Sequence, residues 1–176
     1  MSRAILYGFA GAGVVVSIMA VIYSQSRELF LSPIFQWSLL IPYIIAMILV
    51  LMKRPPYFKG SAIRAALVVF LIVNACYYLY TFLLYEVIDP NLYQLQSDLM
   101  IANSKQNGLG TPGDVSQLPE VMYAPESLKY TFGKVMLWYA QGAIFGAAIA
   151  FLLGTLLGKK EPELDATDAA NSPAEA

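Results

Sequence analysis

Few polar groups lie inside the long apolar segments of this chain, and these are the first candidates for chemistry. Asn74 lies near the middle of an uncharged run, and Tyr77 and Tyr78 follow it within about one helical turn. An amide can join two membrane helices by a hydrogen bond, which contributes on the order of 0.6 kcal/mol on average. The pattern favours helix pinning by Asn74, with a ligand cavity lined by Asn74, Tyr77 and Tyr78 as the alternative.

Pro42 interrupts a second uncharged run and predicts a kink, which neighbouring helices tolerate in a membrane. A kink can open a path for lipid, so Pro42 joins Asn74, Tyr77 and Tyr78 as a candidate lipid or ligand contact.

Glu86 and Asp89 follow the Asn74 run and lie three residues apart. A pair of carboxylates can form a functional site when one pKa is shifted. Acids at a helix end are more often solvated, and that is the prediction here. The tyrosines nearest Glu86 are typical of the aromatic belt at a membrane interface.

Catalytic and metal-binding patterns are missing from the sequence. The chain has no histidine and a single cysteine, Cys76, which has no second cysteine to pair with. We therefore expect no catalytic residue, no metal, no cofactor and no enzymatic activity. The apolar runs hold no acid or base for a proton relay, and the net charge of −1 gives no basic patch for nucleic acid.

The elements that position these residues are four stretches without Asp, Glu, Lys or Arg. Each is about as long as the roughly 20 residues that a helix needs to cross a bilayer. Hydrophobic residues make up 58% of the chain, against roughly 45–50% in soluble proteins. The sequence predicts an all-α membrane protein with four transmembrane helices. The stretches are Ala4–Tyr23, Ile34–Met52, Ala65–Tyr85 and Val135–Gly158.

The first stretch is too long for a signal-peptide core and has no small-residue cleavage site, so we expect a retained helix. Its small residues predict a face for packing against another helix. They are Gly8, Gly11, Ala12, Gly13 and Ser17.

Charge distribution predicts the orientation. The connection 53–64 carries four basic residues and no acid, so by the positive-inside rule it is cytoplasmic. Both termini then share that side, and the long connection 89–131 lies outside. Residues 1–160 form the transmembrane domain, and the acidic segment 161–176 is expected to be a disordered cytoplasmic tail.

The outer connection contains a predicted short amphipathic helix. Leu92, Leu95, Leu99 and Ala102 recur at spacings that place them on one helical face. A later proline, Pro125, fits the first turn of a helix. The fourth spanning helix is therefore predicted to begin at about Pro125 and to end at Gly158.

Small residues recur every four positions along the fourth stretch. Positions four apart share one face of a helix, so this face lets another helix approach closely. One interpretation is packing within this chain, and the other is a seam with a second copy or another subunit. The residues are Gly142, Gly146, Ala150, Gly154 and Gly158.

Several motifs together resemble a Bacteroidota family of four-helix inner-membrane proteins, domain of unknown function 4199. They are the run Tyr85–Pro90, the basic loop that leads into Gly60–Ala62, and the glycine-rich last helix that ends in Gly158–Lys160. The resemblance implies four transmembrane helices in a bacterial inner membrane and no established activity. It also implies that the gene is encoded near that of a glycosyltransferase that uses lipid-linked sugars.

Our leading hypothesis is a non-enzymatic accessory or scaffold subunit that contacts other membrane subunits, or its own copies, through the glycine face. The alternative is a small lipid-handling or flippase-like partner of a polyprenyl-linked-sugar glycosyltransferase. Membrane lipid is a partner in both hypotheses, and nucleic acid in neither.

Overall fold

The computed structural model describes residues 2–52, 59–106 and 123–158, and all regular secondary structure in these residues is helical. Four helical stretches are long and apolar enough to cross a membrane, which confirms the predicted class of a multi-pass, all-α protein. They are Arg3–Gln25, Pro33–Met52, Gly60–Ile88 and Phe132–Leu157.

The first half of the chain forms four helices, of which two are short. Ser26 and Ser32 cap the short ones, because each serine hydroxyl accepts a hydrogen bond from a backbone amide of the first turn. The helices are α1 (Ser2–Gln25), α2 (Arg27–Leu31), α3 (Pro33–Ser38) and α4 (Leu40–Met52).

The second half is organised around α5 (Lys59–Leu83), against which α1, α4 and the last helix all pack. A π-helical turn, Leu84–Ile88, follows α5 directly. Then come α6 (Leu92–Gln106), α7 (Pro125–Leu128) and α8 (Phe132–Leu157). We call the end of the bundle formed by α2, α6 and α7 the capped end.

The second span is interrupted at Leu39, between α3 and α4, where the backbone keeps helical dihedral angles (φ −64°, ψ −17°) and its amide still bonds the Phe35 carbonyl at 3.3 Å. Pro42 lies in the first turn of α4, where it has no amide hydrogen for the Ser38 carbonyl and its ring crowds that carbonyl. The break therefore falls three residues before the proline that predicted a kink.

The prediction that the fourth helix begins at about Pro125 is wrong. Pro125 starts the single turn of α7, and Lys129 then adopts φ −52° and ψ 135°, which is not helical. The spanning helix begins afresh at Phe132, with the Thr131 hydroxyl accepting a hydrogen bond from the Lys134 amide.

The outer amphipathic helix exists as α6, but its buried face differs from the predicted one. Leu92, Tyr93 and Ser97 are buried, whereas Ala102 is exposed. The Ser97 hydroxyl donates to the backbone carbonyl of Tyr123, so a polar contact replaces part of the expected apolar face.

Small residues on α1 face two directions rather than one. A Cβ on Gly8 would lie 2.9 Å from Ile72, and a Cβ on Gly11 would lie 2.8 Å from Ala46, so both glycines allow close helix packing. A Cβ on Gly13 would meet nothing within 4 Å, and Gly13 lies on the exposed side. The predicted packing face therefore includes only part of the small-residue set.

Three predictions fall wholly or partly outside the described residues. Of the basic connection predicted at 53–64, residues 53–58 lie outside them, whereas 59–64 form the start of α5. The glycine-rich part of the outer connection lies within 107–122, and the acidic tail 161–176 also lies outside the described residues. The orientation of the protein in the membrane depends on these charges and stays a prediction.

Candidate intramembrane ligand cavity

A cavity of about 280 Å³ lies among α3, α4, α5 and α8. Three of the four predicted ligand contacts, Asn74, Tyr77 and Tyr78, line it together. Pro42 does not line the cavity, although neighbours on its helix do. The lining residues are Gln36, Trp37, Leu39, Leu40, Tyr43, Phe70, Asn74, Tyr77, Tyr78, Gly142 and Phe145.

Gln36 holds Tyr77 in place on one wall. The Tyr77 hydroxyl donates to Gln36 Oε1 at 2.7 Å, and Gln36 Nε2 donates to the Phe30 carbonyl at 2.9 Å. Both Gln36 polar groups therefore have protein partners. The bond between Tyr77 and Gln36 joins the third span to the second. The sequence signal for it is Gln36 itself, a single amide side chain in an otherwise apolar stretch.

Asn74 pins α5 to α8, as the sequence predicts, and it also faces the cavity. Its Nδ2 donates to the Tyr139 carbonyl at 3.3 Å, and the residue is 5% exposed. Gly142 leaves space for the amide, because a Cβ there would lie 2.9 Å from Asn74 Nδ2.

The side-chain oxygen of Asn74, Oδ1, accepts no hydrogen bond from any residue in the described ranges. The Tyr139 carbonyl can only accept, so the nitrogen of Asn74 must face it and Oδ1 must point elsewhere. Within those ranges every fully buried side-chain nitrogen or oxygen has a hydrogen-bond partner, so an atom without a partner is not fully buried. Asn74 Oδ1 therefore reaches the open volume of the cavity.

Tyr43 and Tyr78 add two phenols to the cavity wall. The Tyr43 ring packs 5.3 Å from the Phe70 ring, and the residue is 5% exposed. The Tyr78 ring stands edge-on to Tyr77, 5.1 Å between centroids. Neither hydroxyl makes a hydrogen bond to another described residue, so both are available to a ligand. Tyr43 is not among the residues predicted to contact a ligand, because nothing in the pattern of an apolar helix indicates which of its tyrosines lines a cavity.

The cavity is electrically neutral and open towards the outside of the bundle. None of its lining residues is Asp, Glu, Lys or Arg. Trp37 and Phe145 form part of the lining and are 69% and 48% exposed, which places them at the mouth. The mouth lies between the second and fourth spanning helices, on the exposed apolar side of the bundle.

A second hollow of about 340 Å³ lies between α5 and α8, nearer to the capped end. Tyr78 lines both hollows, and its ring lies 6.5 Å from that of Tyr139. The walls of the second hollow are almost entirely apolar. They comprise Ala75, Tyr78, Leu79, Phe82, Phe132, Val135, Met136 and Tyr139.

The small-residue face of α8 packs on α5 of the same chain. A Cβ on Gly146 would overlap the Phe70 ring, and a Cβ on Gly154 would lie 2.8 Å from the backbone nitrogen of Ile63. Ala150, between them, is fully buried. The hypothesis that this face docks a partner therefore needs correction, because α5 already occupies it.

Gly158, the last residue of the predicted face, caps the C-terminal end of α8. Its amide donates to the Gly154 carbonyl.

The acids at the end of the third span are not solvated as predicted. Asp89 is buried, forms an ion pair with Arg27 and accepts a hydrogen bond from the Tyr23 hydroxyl. Glu86 is exposed but accepts a hydrogen bond from the Tyr93 hydroxyl. These contacts could not be predicted from the local sequence pattern, because each joins residues that are far apart in the chain or lie on different helices.

Tyr85 is buried rather than part of an interfacial belt. It packs 5.0 Å from Tyr93 and 4.7 Å from Tyr130, centroid to centroid. Burial raises the pKa of Tyr130, with the neighbouring tyrosines adding to the effect. Burial and the hydrogen bond to Glu86 raise the pKa of Tyr93.

Among the described residues no group of His, Cys, Asp and Glu side chains could hold a metal ion. Comparisons of the chain with protein-family models, curated proteins and solved structures found no match. The resemblance to domain of unknown function 4199 therefore stays a hypothesis.

Proposed function

We propose that this protein binds the head of a membrane lipid in the cavity among α3, α4, α5 and α8, as a small lipid-handling protein. One observation carries the proposal. Asn74 and Tyr43 are each 5% exposed, and each presents to a hollow within the membrane-spanning bundle a polar atom that has no partner among the described residues.

Unpaired polar groups are expensive in hydrocarbon, because water is not there to bond them. An unsatisfied group costs several kcal/mol in a bilayer core. A ligand that bonds Asn74 and Tyr43 would remove this penalty, whereas a lipid tail would not. The arrangement thus favours a molecule with a polar head over passive filling by acyl chains.

The position of the mouth supports entry from the bilayer. Trp37 and Phe145 are exposed on the side of the bundle, so a lipid can reach the cavity without passing through water. With the orientation predicted from the basic loop, the cavity lies towards the outer leaflet. A polyprenyl-linked substrate, as in the second hypothesis from the sequence, is one of the lipids to test.

The test uses photoactivatable lipids in vesicles that contain the purified protein. Three probes carry the reactive group next to the head: a phospholipid, a diacylglycerol and a polyprenol. We expect at least one to label cavity residues, and Leu40→Trp, which fills the cavity, to reduce that labelling by about tenfold. Ile41→Trp is the matched control, because Ile41 is exposed on the same helix and does not line the cavity.

Equal labelling of both tryptophan variants by every probe would reject the cavity as a lipid site. The double variant Asn74→Ala with Tyr77→Phe is a second arm. It should lower the transfer of a labelled polyprenyl lipid between leaflets if the protein moves lipid as well as binding it.

An accessory subunit remains the second candidate, with a different docking face. The exposed side of α1 carries Ala10, Gly13, Ser17 and Ala20, and a Cβ on Gly13 would meet open space. Another helix could approach there as the sequence hypothesis expected for α8. Gly13→Leu should then shift the assembly to a smaller size in mild detergent, whereas Val14→Leu, its exposed neighbour, should not. An unchanged assembly in both variants would leave this candidate without a docking face.

A further inference from the structure

The free polar atoms of the cavity form a specific set of hydrogen-bonding groups. Tyr43 and Tyr78 each have a hydroxyl that makes no bond to another described residue, and a phenol is a good donor. Asn74 Oδ1 can only accept, since its amide nitrogen faces the Tyr139 carbonyl. The wall therefore offers one fixed acceptor, Asn74 Oδ1, and two phenols that can each donate or accept.

An alcohol complements this set. A hydroxyl group has one O–H to donate and two lone pairs to accept. It can donate to Asn74 and accept from Tyr43 and Tyr78 at the same time. A ketone or an ester can accept from the phenols but has no hydrogen of its own to donate to the Asn74 oxygen.

A charged head does not suit this cavity. Among the described residues no lysine or arginine lines it, so a phosphate here would be a buried anion without a counter-charge from them. At the capped end Arg27 is paired with Asp89, and the Lys134 ammonium donates to the Ser127 carbonyl. Neither residue lines the cavity. An ammonium group would find no carboxylate among the lining residues either.

The cavity holds a head and only the first part of a tail. Its volume of about 280 Å³ lies just below the range for small-molecule sites, roughly 300–1,000 Å³. The rest of the lipid must leave through the mouth beside Trp37 and Phe145, which are exposed.

We infer that the ligand is an uncharged lipid alcohol whose hydroxyl donates to Asn74 and accepts from Tyr43 and Tyr78. The inference rests on the proposed function and specifies its ligand class. Diacylglycerol and a free polyprenol share this chemistry, whereas phosphatidic acid and polyprenyl phosphate are their charged counterparts.

The experiment is competition against the probe that best labels the cavity, in vesicles containing the full-length protein. Diacylglycerol is compared with phosphatidic acid of the same tails, and polyprenol with polyprenyl phosphate. We expect the neutral member of at least one pair to compete about tenfold better, and the pair that shows it identifies the tail. Equal or better competition by the phosphorylated members would overturn the inference.

A second arm tests the acceptor directly with the methyl ether of diacylglycerol, which can accept hydrogen bonds but cannot donate one. The protein should prefer the alcohol over the ether by about fivefold to tenfold, as expected for one hydrogen bond. Asn74→Leu should abolish this preference, and Tyr80→Phe, outside the lining, should keep it. A preference that survives Asn74→Leu would refute the assigned contact.

The two proposals fail in different ways. If no probe labels the cavity in a manner that Leu40→Trp blocks, the proposed function fails. If labelling is blocked by Leu40→Trp but the charged lipids compete as well as the alcohols, lipid binding stands and the alcohol inference fails. The alcohol-to-ether ratio of Asn74→Leu is taken only from protein whose cavity the probe still labels, so a variant that fails to fold is not scored as having lost the preference.

Discussion

Arg27 Nη1 lies 3.3 Å from Asp89 Oδ2, and this contact ties the start of α2 to the turn between α5 and α6. The two side chains differ in environment, since Arg27 is 56% exposed and Asp89 is 7% exposed. The same carboxylate oxygen accepts from the Tyr23 hydroxyl at 2.9 Å. A buried carboxylate thus holds the ends of the first and third spanning helices together.

Replacing Asp89 by Asn should destabilise the bundle. The variant keeps a hydrogen-bonding oxygen but loses the charge that Arg27 pairs with, so we expect a loss of about 1–2 kcal/mol in the free energy of unfolding. Asp98→Asn, at an exposed position of α6, should change it by less than about 0.5 kcal/mol. Unfolding in detergent followed by circular dichroism measures both, and equal values would contradict a stabilising role of the Asp89 pair.

The spans follow from the sequence because one simple condition fixes them. Backbone groups in hydrocarbon must bond within the segment, so any uncharged run of sufficient length becomes a helix. The helix-pinning role of Asn74 follows for the same reason, since a buried amide needs a partner. Its spacing from Tyr77 and Tyr78 places the three residues on one helical face. That this face lines a cavity, the alternative interpretation of the sequence, depends on the helices packed around it.

Contacts between distant residues do not follow from local pattern. Tyr43 lines the same cavity as Asn74 from another helix, and no periodicity links the two. Asp89 looks like a solvated helix-end acid until Arg27 is placed beside it. The glycine spacing of α8 correctly predicts a close contact with another helix. It does not indicate that this helix is α5 of the same chain.

The tyrosines at the capped end predict a dependence of stability on high pH. The pKa of Tyr93 and of Tyr130 is raised above the usual value of about 10. The folded protein then holds these protons more tightly than the unfolded chain. Stability should therefore be complete below about pH 10 and should fall as the pH rises above it.

Comparison with Tyr93→Phe separates this effect from general alkaline denaturation. The variant lacks one of the two phenols, so its stability should fall less steeply between about pH 10 and pH 12 than that of the native protein. The absorbance of phenolate near 295 nm and the melting temperature are recorded on the same samples. Parallel pH profiles for both proteins would show that Tyr93 is not a source of the dependence.

Adding a methyl group at either of two glycines of α8 should destabilise the protein, but a second substitution should relieve only one of the two clashes. A Cβ at Gly154 meets the backbone of Ile63 at 2.8–2.9 Å, whereas a Cβ at Gly146 meets the Phe70 ring. Each alanine variant should lose about 1–3 kcal/mol through overpacking. Phe70→Leu should partly restore Gly146→Ala, but Ile63→Ala should not restore Gly154→Ala, because a backbone clash remains.

Gly133→Ala is the control for the helix itself. A Cβ there meets nothing within 4 Å, so the change should be neutral or stabilising by about 0.5 kcal/mol. Melting temperatures in one detergent compare all the variants. If Gly146→Ala and Gly154→Ala melt like Gly133→Ala, the close packing of α8 on α5 is refuted.

Pro42 should set the shape of the cavity by breaking the second span. In Pro42→Ala the amide returns, so α3 and α4 should join into one helix and carry Gln36 away from Tyr77. Spin labels at Ile34 and Leu49 report this change, because a straight helix puts positions 15 apart at about 22 Å along its axis. The native protein should give a shorter distance, and labelling of the cavity by lipid should fall severalfold in the variant.

The matched control is Pro33→Ala, at the first position of α3, where a proline suits a helix start and breaks nothing. It should leave both the spin-label distance and the lipid labelling unchanged. Cys76→Ala serves as the background for labelling, since Cys76 is the only cysteine of the chain. If Pro42→Ala leaves the distance unchanged, the break at Leu39 has a cause other than the proline. If the distance grows but labelling persists, the cavity binds lipid without needing the bond between Gln36 and Tyr77.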